Sequence, residues 1–196
     1  GTYGRHIRTL SSNYAGAVKT DVYLARSRNY QTARECALAD NFVPETVYDN
    51  LIETVRANTK PLQEYVSLRK KVLGIEDFHF YDFFVPIVKD VAREYPYEEG
   101  KETVLKATAV LGEDYARVMR CGVDDRWIDI YPGKNKMTGA YSTGAYGFHP
   151  YMLLNYDNTL DDVFTLVDEL GHSMHTYFSQ KTQPYLYSDY SIFCAE

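Results

Sequence analysis

Between Thr159 and Ser179 the chain carries two chemistries at helical spacing. Val163, Val167, Leu170, Met174 and Phe178 recur every three or four residues. At about 100° per residue they form one apolar stripe. Asp161, Asp168, His172, His175 and Ser179 fall together on the opposite face. A fold containing this helix must build a core against the stripe, and it turns a row of acids and imidazoles the other way. Thr159 followed by Asp162 predicts a capping box at the start, and Asp161 adds negative charge at the positive helix end.

Most of the remaining chain also reads as helix. Residues Asp21 to Ala39 are rich in Ala and Arg with no breaker, and Glu45 to Ala57 carries Val47, Leu51, Ile52 and Val55 at helical spacing after Pro44. Leu62 to Leu73 repeats the pattern and stops at Gly74. Thr103 to Arg120 continues it, with Gly112 a candidate break. From Arg126 the grammar changes. RWIDIY, Met137 to Ser142 and PYMLLNY are short and rich in aromatic residues, with the turn-forming PGKNK between the first two. The expectation is a mainly α chain with a small antiparallel β segment of two or three strands just before the two-faced helix. So small a sheet must lean on helices. No repeat, low-complexity tract or linker interrupts the pattern, so residues 1–196 read as a single unit.

Composition narrows the function classes. Of 196 residues, 45% are hydrophobic and 24% charged, the profile of a globular chain. The net charge of −6 and the lack of a basic stripe argue against nucleic-acid binding. Apolar runs are too short for a membrane-spanning helix, and nothing supports a membrane-surface role. Cys36, Cys121 and Cys194 are far apart and lack CxxC spacing, which argues against a disulfide framework and a cysteine zinc site and fits a reducing compartment. Tyrosine supplies 19 residues against 9 Phe and 1 Trp. Such an excess suits a wet cleft or an interface without choosing between them.

The polar row contains Asp168-Glu169-Leu170-Gly171-His172, one residue away from HExxH. Residues four apart stack on one helical face, so two ligands can reach one ion. The Glu beside the first of them projects sideways, where it can take a proton from a water held by that ion. A third ligand comes from a following element, and Glu196 ends a short helical segment, SDYSIFCAE. A solvated polar face with capping acids remains an alternative reading of this segment alone.

FTLVDELGHSMHTYFSQ followed by QPYLYSDYSIFCAE closely resembles oligoendopeptidase F, of the thimet-oligopeptidase-like metallopeptidases, whose pattern reads FTLxHELGHSMHSYFS and then QPYxYxxYxIFxAE. The resemblance extends upstream through RWIDIY, GKNKMTGAYSTGAYGFHPYMLLN, NFVPETVYDNLIETV and EYVSLRKKVLGI. It implies a helical, zincin-like fold enclosing a channel, and zinc-dependent hydrolysis of short peptides in the cytoplasm. By position, Glu169 is the general base and Asp168, His172 and Glu196 are the metal ligands. The segment Gly139, Ala140 and Tyr141 pairs with an extended substrate, and His149 approaches it. The resemblance also implies that residues 1–196 are the middle, catalytic part of a longer domain, without its N-terminal wall or C-terminal part.

Asp168 departs from the pattern, which has His there. Aspartate is shorter than histidine. It would also leave a zinc site neutral where two imidazoles and one carboxylate leave +1, and a less positive centre acidifies water less. The set favours harder ions such as manganese, calcium or magnesium as replacements, and His175 is a conceivable substitute ligand. Three functions stay open: a peptidase, an impaired or non-catalytic peptide-binding relative, and a structural helical module.

Overall fold

The computed structural model describes residues 1–88 and 93–195, in two compact units, Gly1–Lys89 and Asp90–Glu196, where the sequence pattern suggested one. The first unit is helical: α1 (Thr2–Arg5), α2 (Ile7–Ser27), α3 (Ala33–Ala39), α4 (Glu45–Ala57) and α5 (Lys60–Leu73), then a short helical turn, Phe80–Phe84. The single helix expected over Asp21 to Ala39 is two. Asn29 breaks it at φ 64°, a left-handed conformation that Asn tolerates. Thr32 then turns extended and accepts a hydrogen bond from the Glu35 N–H at 3.0 Å, capping α3. Short polar side chains compete with the helix in this way, which hydrophobic periodicity does not register.

Helix α4 has the predicted bounds, and α5 stops at Gly74 in the left-handed conformation with φ 68°. Arg34 ties α3 to α4 through Glu45 (2.6 Å) and Asp49 (2.8 Å), and the first of these bonds holds the Glu45 carboxyl below its ordinary range. The buried Arg69 donates to the carbonyls of Asp82 (2.7 Å) and Val85 (2.5 Å), fastening the Phe80–Phe84 turn to α5.

The second unit holds most of the buried apolar residues. Its elements are α6 (Tyr97–Thr108), a turn Ala109–Leu111, α7 (Glu113–Asp124), β1 (Ile128–Asp129), β2 (Tyr141–Thr143), β3 (Tyr151–Leu153), α8 (Leu160–Thr182), a turn Tyr185–Tyr187 and α9 (Ile192–Ala195). Gly112 does break the expected helix, at φ 103°. The core joins Val104, Leu105, Val118, Met119 and Trp127 to Met152, Leu154, Leu166, Leu170 and Met174.

The sheet corrects the antiparallel expectation. Its order is β1-β3-β2, with β2 antiparallel to β3 but β1 parallel to it, in register Ile128↔Met152 and Asp129↔Leu153. Alternating side chains carry no information on strand direction, and the connection after β1 is long enough to cross over. Lys136 braces that connection by donating to the carbonyls of Asp129 (3.1 Å) and Tyr131 (2.6 Å).

Buried phenols, Tyr97 and Tyr156 among them, make this unit alkali-sensitive. Burial pushes the hydroxyls of Tyr97 and Tyr156 above their ordinary range, with Glu98 adding to the effect at Tyr97 and Asp162 at Tyr156. Tyr156 donates to the Tyr95 carbonyl at 2.8 Å, whereas the buried Tyr97 hydroxyl has no partner among the described residues. Below pH about 10 both folded and unfolded chains keep these protons, so the contribution is fully present. Above that pH the unfolded chain releases them first. Stability should therefore fall by up to about 1.4 kcal/mol per pH unit for each phenol. Urea midpoints across that range check this, and Tyr97→Phe should flatten the decline.

Candidate active site

Helix α8 begins as its sequence requires. The Thr159 hydroxyl accepts from the Asp162 N–H at 3.2 Å, and the Asp162 carboxylate accepts from the Thr159 N–H at 2.9 Å. Val163, Leu166, Leu170 and Met174 are buried, so the stripe packs inward as expected, with Leu166 more deeply placed than Val167. Ser173 is buried as well, hydrogen-bonded to Ser142 at 2.8 Å. That contact docks β2 on the helix one residue past His172.

The opposite face lines an open cavity of about 660 Å³ with Asp168, Gly171, His172 and His175, joined by Ala195 from α9. The Asp168 side chain is 73% exposed and the His172 side chain 24%. Asp168 Oδ2 and His172 Nε2 lie 3.8 Å apart, outside hydrogen-bonding range. Two donors of one tetrahedral zinc stand about 3.4 Å apart. The pair thus fits a shared cation after a shift of a few tenths of an ångström, and an imidazole with a carboxylate suits zinc or manganese. Among the described residues no cluster of three His, Cys, Asp or Glu side chains completes a site. Glu196, the third ligand expected from the sequence, lies outside the described residues. Glu169 is buried at 8% exposure, on the flank between the cavity face and the core.

Asp168, His172 and His175 do not together form a three-residue group that could hold an ion. The His175 ring stacks on Tyr190, with centroids 3.6 Å apart and planes 5° from parallel. The Tyr190 hydroxyl donates to the His172 carbonyl at 3.3 Å and bonds Thr176 at 2.9 Å. The Ser179 hydroxyl donates to the Ser188 carbonyl at 2.6 Å. Together these fasten the segment leading to α9 onto the turn of α8 that carries His172. Periodicity within α8 could not reveal Tyr190, because the contact joins two elements.

Gly139 and Ala140 lead into β2, which starts at Tyr141 and pairs on its other edge with no described strand. Asn155 holds this approach by donating to the carbonyls of Met137 (2.9 Å) and Gly139 (2.8 Å). His149 is half-buried. It stacks on Trp127 at 5.0 Å, tilts against Tyr151 at 4.4 Å, and its Nδ1 lies 2.8 Å from the Pro150 carbonyl oxygen.

The sequence profile of Peptidase family M3 matches residues 3–196. The chain belongs to peptidase family M3. Over its whole length it is 48% identical to Oligopeptidase PepF of Bacillus subtilis, of which it covers 29%. It is 44% identical to the chromosomal Oligoendopeptidase F of Lactococcus lactis subsp. cremoris, covering 97% of this chain and 31% of that one. A crystal structure of oligoendopeptidase-F from Enterococcus faecium shares 31% identity and superposes with a TM-score of 0.55, over 90% of this chain and 25% of the other. The M3 chain thus spans about a third of the relatives it matches, and its likeness to oligoendopeptidase F runs through both units. No described helix of this M3 chain is long and apolar enough to cross a membrane.

Proposed function

We propose that this chain carries the hydrolytic centre of a metal-dependent oligopeptidase acting on short peptides in the cytoplasm. The observation that carries the reading is the shared face of α8, where Asp168 and His172 stand 3.8 Å apart over a cavity that the residue before Glu196 also lines. Asp168, His172 and Glu196 would hold one divalent ion. When bound, that ion polarises the scissile carbonyl and acidifies water.

Glu169 takes the proton from the attacking water and passes it to the departing amine. The reading rests on its being the neighbour of Asp168 on α8, a carboxylate one residue from the donor pair. The free edge of β2, approached through Gly139 and Ala140, binds the peptide backbone. Main-chain hydrogen bonds there accept many sequences. His149, held by Trp127 and Tyr151, contacts the substrate through its remaining ring nitrogen.

Asp168 supports a second reading, a peptide-binding relative with impaired catalysis. It supplies a full negative charge where the family pattern supplies a neutral imidazole, and its side chain is largely exposed. Asp168→His in the intact protein separates the two. The variant should bind zinc about tenfold or more tighter, and chelator-sensitive cleavage of a quenched-fluorescence peptide should rise with it. Cleavage by the unsubstituted protein supports the first reading. Metal and peptide binding without cleavage, reversed in the variant, supports the second. If neither form binds zinc or manganese stoichiometrically and neither cleaves, both readings fail.

A further inference from the structure

A second cavity, of about 530 Å³, is lined by Thr176 of α8 and by Tyr190 from the segment that follows it. Thr143 and Gly144 border it at the end of β2, Gln180 borders it from α8, and Tyr185 and Asp189 from the segment after α8. We propose that this cavity is a subsite for a cationic side chain, Arg or Lys, of the bound peptide. The proposal deepens the peptidase reading and rests on it.

Location comes first. Tyr190 is common to this cavity and to the contact with the His172 carbonyl. A peptide laid along the free edge of β2 therefore passes the cavity at Thr143 and Gly144, within a residue or two of the His172 turn. The strand end sits directly on the helix. A Cβ on Gly144 would stand 2.7 Å from Thr176 Cγ2, so the floor admits glycine without adjustment and no larger residue.

The chemistry of the wall then selects the ligand. A phenol has a single hydrogen to donate. Tyr146 gives its hydrogen to the Gln183 carbonyl at 3.1 Å, and Tyr190 gives its own to His172. The Ser188 hydroxyl is likewise committed, to the Tyr185 carbonyl at 3.0 Å. Toward a ligand these three oxygens can only accept. Asp189 uses one carboxylate oxygen on the Tyr190 N–H at 2.9 Å and keeps the other. No Lys or Arg lines the cavity. The rings of Tyr146 and Tyr185, edge-to-face at 5.5 Å, add aromatic faces that attract cations. Thr143 and Gln180 add neutral groups that can donate or accept, so the one charge of the wall, the Asp189 carboxylate, together with these acceptors and aromatic faces, favours guanidinium or ammonium, which donate and never accept. It repels Asp and Glu. The excess of tyrosine thereby acquires a use at three positions.

The test is equilibrium binding to the intact protein carrying Glu169→Gln, which keeps peptides uncleaved. Fluorescein-labelled peptides differ at one position at a time, by Arg, its neutral isostere citrulline, or Glu. At one position Arg should bind about fivefold tighter than citrulline, as expected of an exposed carboxylate with aromatic support. Added salt should shrink the difference. Asp189→Asn keeps the turn acceptor and should remove most of the preference while leaving citrulline peptides unaffected. Tyr185→Ala should reduce it by a different route. Peptide binding with no Arg preference at any position, or with a preference indifferent to Asp189→Asn, overturns the subsite alone. Absence of binding by every peptide overturns the underlying peptidase reading and the subsite with it.

Discussion

Glu169→Gln is expected to lower kcat for hydrolysis of a short peptide by about 10²- to 10⁴-fold, the range of general-base contributions. Glutamine keeps the shape of glutamate and cannot accept a proton at neutral pH. Glu169 stands beside Asp168 and three residues before His172, so its substitution removes a base while leaving both donors of the cavity face in place. Metal content, measured on the purified variant, should be unchanged, and KM for the peptide should move little. That split distinguishes a lost proton acceptor from a disturbed helix, which would lower metal content and rate together. An unchanged kcat would mean that another group takes the proton, and the reading of α8 as the hydrolytic helix would fall.

Leu170→Ala should destabilise the second unit by about 2–5 kcal/mol. Leu170 has no exposed surface, and its side chain meets Gly122 of α7 from within α8. Gly122 is itself packed under Trp127, so the neighbours cannot collapse into the space that the missing methyl groups leave. Cavities that cannot relax give the larger costs. The urea midpoint should fall with the slope of the transition unchanged. Because Leu170 lies next to Glu169 and two residues from His172, metal binding should weaken only as far as unfolding lowers the population of folded protein. A loss below about 1 kcal/mol would show that the α7–α8 contact is looser than the packing implies.

Some of this molecule can be read residue by residue. The bounds of α4, the left-handed stop at Gly74, the break at Gly112 and the Thr159–Asp162 cap each depend on neighbours within four positions, and each was legible. Asn29 and Thr32 are equally local, yet the Ala- and Arg-rich composition around them concealed the break between α2 and α3. The parallel pairing of β1 and β3 was not legible, because Met152 bonds the Trp127 carbonyl and Leu154 the Asp129 carbonyl across more than twenty intervening residues. Nor was the division of the chain into two units, since no linker composition marks residue 89.

The candidate site divides along the same line. Four-residue spacing on α8 suffices to place Asp168 and His172 on one face and the apolar stripe on the other, because helical geometry is a property of the local backbone. Tyr190 against His175, Ser142 against Ser173 and the acceptor-lined cavity beyond Thr143 came into being only when distant segments packed on that helix. Contacts of this kind follow from how the chain folds back in three dimensions, and no spacing rule along the backbone encodes them.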